Sequence, residues 1–163
     1  MKKLKFFSVF LLVALLFSCG AKRDRGAKDT LFEFIGALPD LPPGAVYQSA
    51  ASPYGEKKPL TEELLLSLYA KEDGSCEYAE HVEEAALYLG TSAEGPFEVA
   101  AFAAFANSDT DAILAMCRRR AALVSRLFPE AAGNARYFVL DNLVLFCLSD
   151  DPAAAEAAFR RLK

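Results

Sequence analysis

The chain has 163 residues, with 18 lysine and arginine residues against 22 aspartate and glutamate residues and a single histidine. This length is sufficient for one domain with a sizeable core. The acidic balance argues against a nucleic-acid partner, because such proteins need a basic face that neutralises phosphates.

The first eighteen residues have the pattern of a secretion signal. Three lysines lie within the first five positions, and residues 6–17 are apolar except for Ser8. This apolar run is shorter than the ~20 residues that a helix needs to cross a bilayer. We therefore interpret residues 1–18 as a signal peptide and not as a membrane span.

The signal closes on Leu16-Phe17-Ser18-Cys19-Gly20, in which a cysteine directly follows a small residue. This stretch resembles the lipobox of bacterial lipoproteins, although Phe17 is larger than the residue usual at its position. The resemblance implies that a diacylglycerol is attached to the thiol of Cys19 and that the chain is cut just before it. The protein would then be anchored on the outer, extracytoplasmic face of the cell membrane. Two acyl chains such as palmitate are enough for lasting attachment. The alternative is an ordinary thiol that follows an ordinary cleavable signal.

Cleavage would remove three basic residues and no acidic one, which leaves 15 basic against 22 acidic residues and a formal net charge of −7. Residues 19–28 would form a tether headed by the lipidated cysteine. Residues 29–163 would form a single α+β domain with its core in residues 60–163. The tether contains four basic side chains that can contact anionic headgroups, namely Lys22, Arg23, Arg25 and Lys28.

Three cysteines remain in the domain, and they follow no small-scaffold disulfide pattern. Cys117 and Cys147 both fall at apolar-facing positions, whereas Cys76 precedes a polar segment. We expect free core thiols, with a disulfide between Cys117 and Cys147 as the alternative.

Two helices are predicted before the core strands. The first begins at a capping box formed by Thr30 and Glu33 and ends at Pro39. The second is capped by Thr61 and ends at Gly74.

Residues 39–59, between these helices, are rich in proline and are expected to form an irregular arm with at most a short strand at 45–48. The exposed candidates for partner contact in this arm are Tyr54, Lys57 and Lys58.

Residues 77–84 form an acidic segment around the only histidine, His81. On a helix, its carboxylates and the imidazole would share one face and could hold a divalent cation. The segment runs into residues 85–89, which have the pattern of a strand, and acidic runs are common on protein surfaces. We therefore expect no metal or other cofactor, and a metal site here is the alternative. Its ligands would be Glu77, Glu80, His81 and Glu84.

Residues 82–162 follow the order strand, strand, helix, strand, strand, helix. The last two strands are joined by Asp141-Asn142, which tolerates positive φ. The final helix begins at Asp151-Pro152, a capping residue followed by proline at the first helical position. We predict two ββα units that form a four-stranded, mainly antiparallel sheet with its helices packed on one face.

The second strand and the first helix of this pattern each present an apolar face. Alternate residues of the strand, ending with Phe105, are expected to face the core. The helix is predicted to begin with a capping box of Ser108 and Asp111 and to stop before Pro129. Its apolar stripe consists of Ile113, Met116, Cys117, Val124, Leu127 and Phe128.

Arg120 falls inside this apolar stripe, whereas Arg118, Arg119 and Arg126 are predicted to point away from it. A guanidinium on a buried face must reach water or find a carboxylate. We therefore predict a structural ion pair between Arg120 and either Glu98 or Asp141, with ligand binding by Arg120 as the alternative.

Residues 60–160 are similar to an uncharacterised family of small bacterial lipoproteins, known as a domain of unknown function and found mostly in Gram-positive anaerobes. The similarity rests on the leucine-rich helix around 64–68 before a strand with an acidic start, and on the helix that carries Arg120. It also rests on the strand at 142–149 followed by Asp150-Asp151. This resemblance implies the fold and an extracytoplasmic location, and it carries no catalytic residue.

The sequence favours a binding or interaction module, held at the membrane through Cys19 and directed at an envelope protein or a small ligand. It contains no glycine-rich phosphate loop, serine-centred elbow or paired-cysteine metal motif. The alternative is an extracytoplasmic enzyme or metal-binding protein that uses Cys76 with His81, or the acidic segment 77–84.

Overall fold

The computed structural model of the chain describes residues 25–49, 58–92, 95–131 and 133–163, and these residues form an α+β fold. The predicted α+β class is therefore confirmed. The signal peptide, Cys19 with its lipobox, and Tyr54 and Lys57 of the arm lie outside the described residues.

The described residues contain six strands and five α-helices. The strands are β1 (Gly44–Gln48), β2 (Lys58–Pro59), β3 (Val82–Thr91), β4 (Pro96–Ala104), β5 (Ala135–Leu140) and β6 (Leu143–Leu148). The helices are α1 (Ala27–Gly36), α2 (Glu62–Tyr69), α3 (Tyr78–His81), α4 (Thr110–Leu127) and α5 (Pro152–Leu162). Short 3₁₀ turns at Asn107–Asp109 and Pro129–Ala131 flank α4.

The strands form one sheet in the order β2-β1-β3-β4-β6-β5, with all neighbours antiparallel except the parallel pair β1 and β2. The predicted four-stranded sheet is therefore too small. Its four strands are present, but the proline-rich arm adds β1, which pairs Val46 with Tyr88 of β3. Prolines precede and follow β1 without interrupting it, and Pro59 lies in β2, the edge strand, where proline is tolerated.

Helices cover both faces of the sheet, so the prediction that they pack on one face was wrong. Helices α1 and α5 cover one face, and α2 and α4 cover the other. The physical reason lies in the central strands, because Phe97–Ala104, apart from Glu98, and Leu143–Leu148 are apolar at odd and even positions alike. A strand that is apolar on both sides needs cover on both sides.

This arrangement separates the two cysteines that could have formed a disulfide. Cys117 is buried under the α2/α4 face, whereas Cys147 is buried under the α1/α5 face, and both are free thiols. Burial raises the pKa of Cys147 to about 12 and raises that of Cys117 well above its usual range. Both are therefore protonated core side chains, as the favoured interpretation of the sequence expected.

The folded domain begins earlier than residue 29. Helix α1 starts at Ala27, and the guanidinium of Arg25 donates from Nη1 to the carbonyl oxygen of Leu162 at 2.6 Å. Residues 25–28, which we predicted to be part of the tether, thus belong to the domain. The core likewise extends before residue 60, because Leu31 and Phe34 of α1 are fully buried in it.

The N-terminus of α1 is capped by a residue from another element. The predicted capping box is wrong, because Thr30 lies inside the helix and its hydroxyl donates to the carbonyl oxygen of Gly26. Instead, the carboxylate of Glu84 in β3 accepts from the backbone amides of Ala27 and Lys28, at 2.8 and 3.3 Å. A β-bulge between Val82 and Glu84 sets the register that turns Glu84 to this face.

Replacing Glu84 with alanine is expected to lower the free energy of unfolding by about 1 kcal/mol, because two amides of α1 lose their acceptor and the helix dipole loses a negative charge. Urea unfolding followed by circular dichroism measures this change. Glu83→Ala is the matched control, since Glu83 is the exposed neighbour. A loss that is equal in the two variants would contradict the capping role.

Two other local predictions fail at the ends of α4. At the start of α4, the side chain that accepts from a backbone amide is Asp109 and not Ser108. Oδ2 of Asp109 accepts from the amide of Ala106 at 3.0 Å. At the other end, Leu127 and Phe128 are 64 % and 38 % exposed. Phe105 is also exposed, because it follows the last residue of β4.

Candidate ligand-binding groove

A buried carboxylate organises the α2/α4 face. Glu98 of β4 is 1 % exposed, and strand alternation places it on the same side as Ala100 and Phe102. Its Oε1 accepts from the hydroxyl of Tyr69 at 2.5 Å, and its Oε2 accepts from Nε and Nη2 of Arg120, both at 2.9 Å. Of the two carboxylates considered for Arg120, Glu98 is therefore the one in contact.

Tyr69 is a permanent donor in this network. Burial is the main cause that raises the pKa of its phenol well above the usual value, and the negative charge of Glu98 raises it further. The hydroxyl therefore stays protonated at neutral pH, and Glu98 has both oxygens occupied by fixed donors. Arg120, only 13 % exposed, is held in one orientation by this arrangement.

A second ion pair lies beside the first. Arg119 binds Glu77 through both terminal nitrogens, at 3.0 and 2.5 Å, and also donates to the carbonyl oxygen of Tyr69. Lys71 reaches the same carboxylate at 3.2 Å. Arg119 does not point away from the domain as its sequence position suggested, because the loop after α2 folds over it.

The ion pair of Glu77 makes a pH-dependent contribution to stability. Burial works to raise the pKa of Glu77, but hydrogen bonds from Arg119 and Lys71 outweigh it, and the net pKa is lowered. A lowered folded-state pKa stabilises the fold above the usual carboxyl pKa, and this stabilisation is lost as the pH falls through the folded-state value. The contact between the loop and α4 is therefore fully present at neutral pH.

A groove of about 480 Å³ opens above these pairs, between the end of α2 with its following loop and α4. Its volume lies in the range of small-molecule sites. Leucine and alanine side chains form part of its wall. The complete lining is Leu68, Tyr69, Ala70, Lys71, Glu72, Asp73, Arg119, Arg120, Ala122, Leu123 and Arg126.

The α4 side of the groove has hydrogen-bond donors left to use. A guanidinium carries five N–H groups, and among the described residues Arg120 contacts Glu98 through Nε and Nη2 alone. The Nε of Arg119 is buried without a partner, and Arg126 is exposed with no carboxylate partner among the described residues. The carboxylates of Glu77 and Glu98 are already occupied. The loop side of the groove also carries the exposed Glu72 and Asp73, of which Asp73 accepts from Ser75. The unused cationic donors therefore lie on the α4 side of the groove.

The structure does not bring the acidic segment 77–84 together. Glu77 binds Arg119 and Glu84 caps α1, while Nδ1 of His81 lies 3.1 Å from Oδ1 of Asp109. Helix α3 is only four residues long, so the helical face on which a metal site depends is not formed. Within the described residues, no group of three or more potential metal ligands is present.

Cys76, the nucleophile of the alternative enzyme hypothesis, lies apart from His81. The thiol of Cys76 lies 3.7 Å from the sulfur of Met116, and its pKa is raised by burial, whereas His81 is turned to Asp109. Cys76 and His81 therefore do not form a pair. Lys58, the described member of the three arm residues, lies on β2 with its amine over the ring of Tyr47.

Tyr69 and Arg119 were not predicted to belong to one polar cluster. Tyr69 lies in the predicted second helix, where its local sequence indicates no polar role. The available signal was Glu98, a charged residue in an otherwise apolar strand, because such a residue requires donors from whatever packs above it.

Comparisons of the chain with protein-family models, with curated proteins and with solved structures found no match. Among the helices of the described residues, none is both long and apolar enough to cross a membrane. The similarity to an uncharacterised lipoprotein family stays a prediction.

Proposed function

We propose that the protein is a lipid-anchored, extracytoplasmic binding protein whose domain holds a small anionic ligand in the groove between α2 and α4. The lipobox around Cys19 supports the anchor and its location. The groove supports binding rather than catalysis, because Arg119 and Arg120 are fixed in ion pairs and no lining residue is an activated nucleophile or a paired acid and base.

The observation that supports the ligand class is the pair of unused cationic donors on the α4 side of the groove, Arg120 and Arg126. A carboxylate or phosphate group could accept from the free Nη1 of Arg120 and from Arg126 without displacing Glu98 or Glu77. Charge-assisted hydrogen bonds of this kind are among the stronger polar contacts in proteins. The apolar side chains of Leu68 and Leu123 would contact the remainder of the ligand.

The Arg126→Gln variant is expected to bind anionic probes about tenfold more weakly than the wild type, because one charge-assisted hydrogen bond is lost. The probes are inorganic phosphate and hexanoate, and the measurement is the rise in the melting temperature with probe concentration. This test requires no knowledge of the natural ligand.

Arg118→Gln is the matched control, since Arg118 lies on the same helix, carries the same charge and faces the ring of Tyr137 instead of the groove. Its probe affinity should equal that of the wild type. An equal loss in both variants, or no stabilisation of the wild type by either probe, would overturn the proposed ligand class.

A further inference from the structure

Helices α1 and α5, with the residues next to their ends, carry five basic side chains on the face of the sheet opposite the groove. Arg25 donates to the carbonyl oxygen of Leu162, and Arg161 donates to that of Ala37. We call these five residues the basic surface. They are Arg25, Lys28, Arg160, Arg161 and Lys163.

The acidic residues near the same two helices are too few to cancel the positive charge of this surface. Glu33 approaches Arg25 at 3.5 Å, Glu156 is bound to Arg136 at 2.9 Å, and Asp29 is exposed in the first turn of α1. Glu84, which also faces α1, is used by the helix amides. The basic surface therefore contrasts with a mature chain whose formal net charge is −7.

The basic surface also lies close to the anchor. Only five residues separate Cys19 from Arg25 in the sequence, and even a fully extended chain of that length spans no more than about 20 Å. The start of α1 is thus confined to a short distance from the lipid headgroups. Electrostatic attraction acts within about 10 Å of such a surface.

The geometry points to the basic surface as the membrane-facing side of the domain, where it contacts anionic headgroups while the groove opens on the opposite side. This inference rests on the proposed lipid anchor at Cys19. Anionic headgroups attract the basic surface and repel the rest of the acidic domain, so one orientation of the domain is favoured. The groove is then presented to ligands that arrive from outside.

The orientation can be measured with the acylated protein in vesicles whose headgroups carry a nitroxide quencher. One fluorophore is placed through Ala157→Cys on α5, and the matched label through Ala122→Cys on α4, both exposed alanines on opposite faces. Cys76→Ser removes the half-buried native thiol from both proteins. In vesicles of phosphatidylglycerol and phosphatidylcholine, the label at 157 is expected to be quenched and the label at 122 is not.

The double variant Arg160→Gln, Arg161→Gln tests the cause of this orientation. Each basic residue near an anionic surface strengthens the attraction about fivefold, so the ratio of docked to undocked domains should fall about 25-fold. Lys58→Gln with Arg118→Gln, the same charge change elsewhere, should leave the ratio unchanged. Vesicles of phosphatidylcholine alone should give no difference between the two labels.

Equal quenching of the two labels in an acylated protein would overturn the orientation and leave the anchor intact. Quenching that is the same with and without phosphatidylglycerol would overturn the electrostatic cause. A mass spectrum without the acyl group at Cys19, recorded before reconstitution, would overturn the proposed anchor and the orientation with it.

Discussion

Replacing Glu98 with alanine is expected to lower the free energy of unfolding by about 3–5 kcal/mol, because a buried guanidinium and a buried phenol lose their shared acceptor. The side chain of Glu98 is 1 % exposed, and its two oxygens serve Tyr69 and Arg120 separately. Urea unfolding at pH 7, followed by circular dichroism, measures the change in the midpoint and its slope.

The matched control for this variant is Glu156→Ala. Glu156 binds Arg136 at 2.9 Å, the same separation as between Glu98 and Arg120, but the two side chains are 44 % and 33 % exposed. An exposed pair contributes about 0–1 kcal/mol. Similar losses in the two variants would show that burial does not set the strength of the Glu98 network. The Glu98→Gln variant keeps an acceptor but loses the charge. Its loss of unfolding free energy should lie between those of Glu98→Ala and Glu156→Ala.

Replacing Cys19 with serine is expected to abolish acylation of the protein. The thiol of Cys19 is the atom to which the lipobox resemblance assigns the diacylglycerol, and a hydroxyl is a much weaker nucleophile than a thiolate. Incorporation of labelled palmitate in cells and the intact mass of the processed protein measure this loss.

Cys76→Ser is the matched control for the anchor, because Cys76 is a half-buried thiol of the folded domain. This variant should keep the full acyl label. A wild-type protein with a free thiol at Cys19, or with the leader still attached, would remove the basis for a membrane location. The groove and its unused donors on α4 would then belong to a binding protein of a different compartment.

Local signals in the sequence predicted local structure well. Thr61 caps α2 through the amide of Leu64, and Asp151 caps α5 through the amide of Ala154. Asp141 adopts the positive φ of 53° that its place in the hairpin requires. In each case the interacting groups lie within four residues of one another, so no tertiary information is needed.

The same kind of signal failed where a distant residue competed. Thr30 and Glu33 have the spacing of a capping box, but the carboxylate of Glu84 reaches the helix end from β3. That carboxylate lies more than fifty residues away in sequence. Because the α1 cap depends on strand register, a window of a few residues could not identify it.

The sequence by itself determined the four central strands and the long helices, which residues are apolar, and that Arg120 needs a carboxylate. Only the tertiary structure decided that helices cover both faces, that Cys117 and Cys147 are separated by the sheet, and that Tyr69, Glu98 and Arg120 converge under a groove. The physical reason is that periodicity reports that a face must be buried, but not what buries it. The partner of a buried group is chosen by topology, which no short stretch of the chain contains.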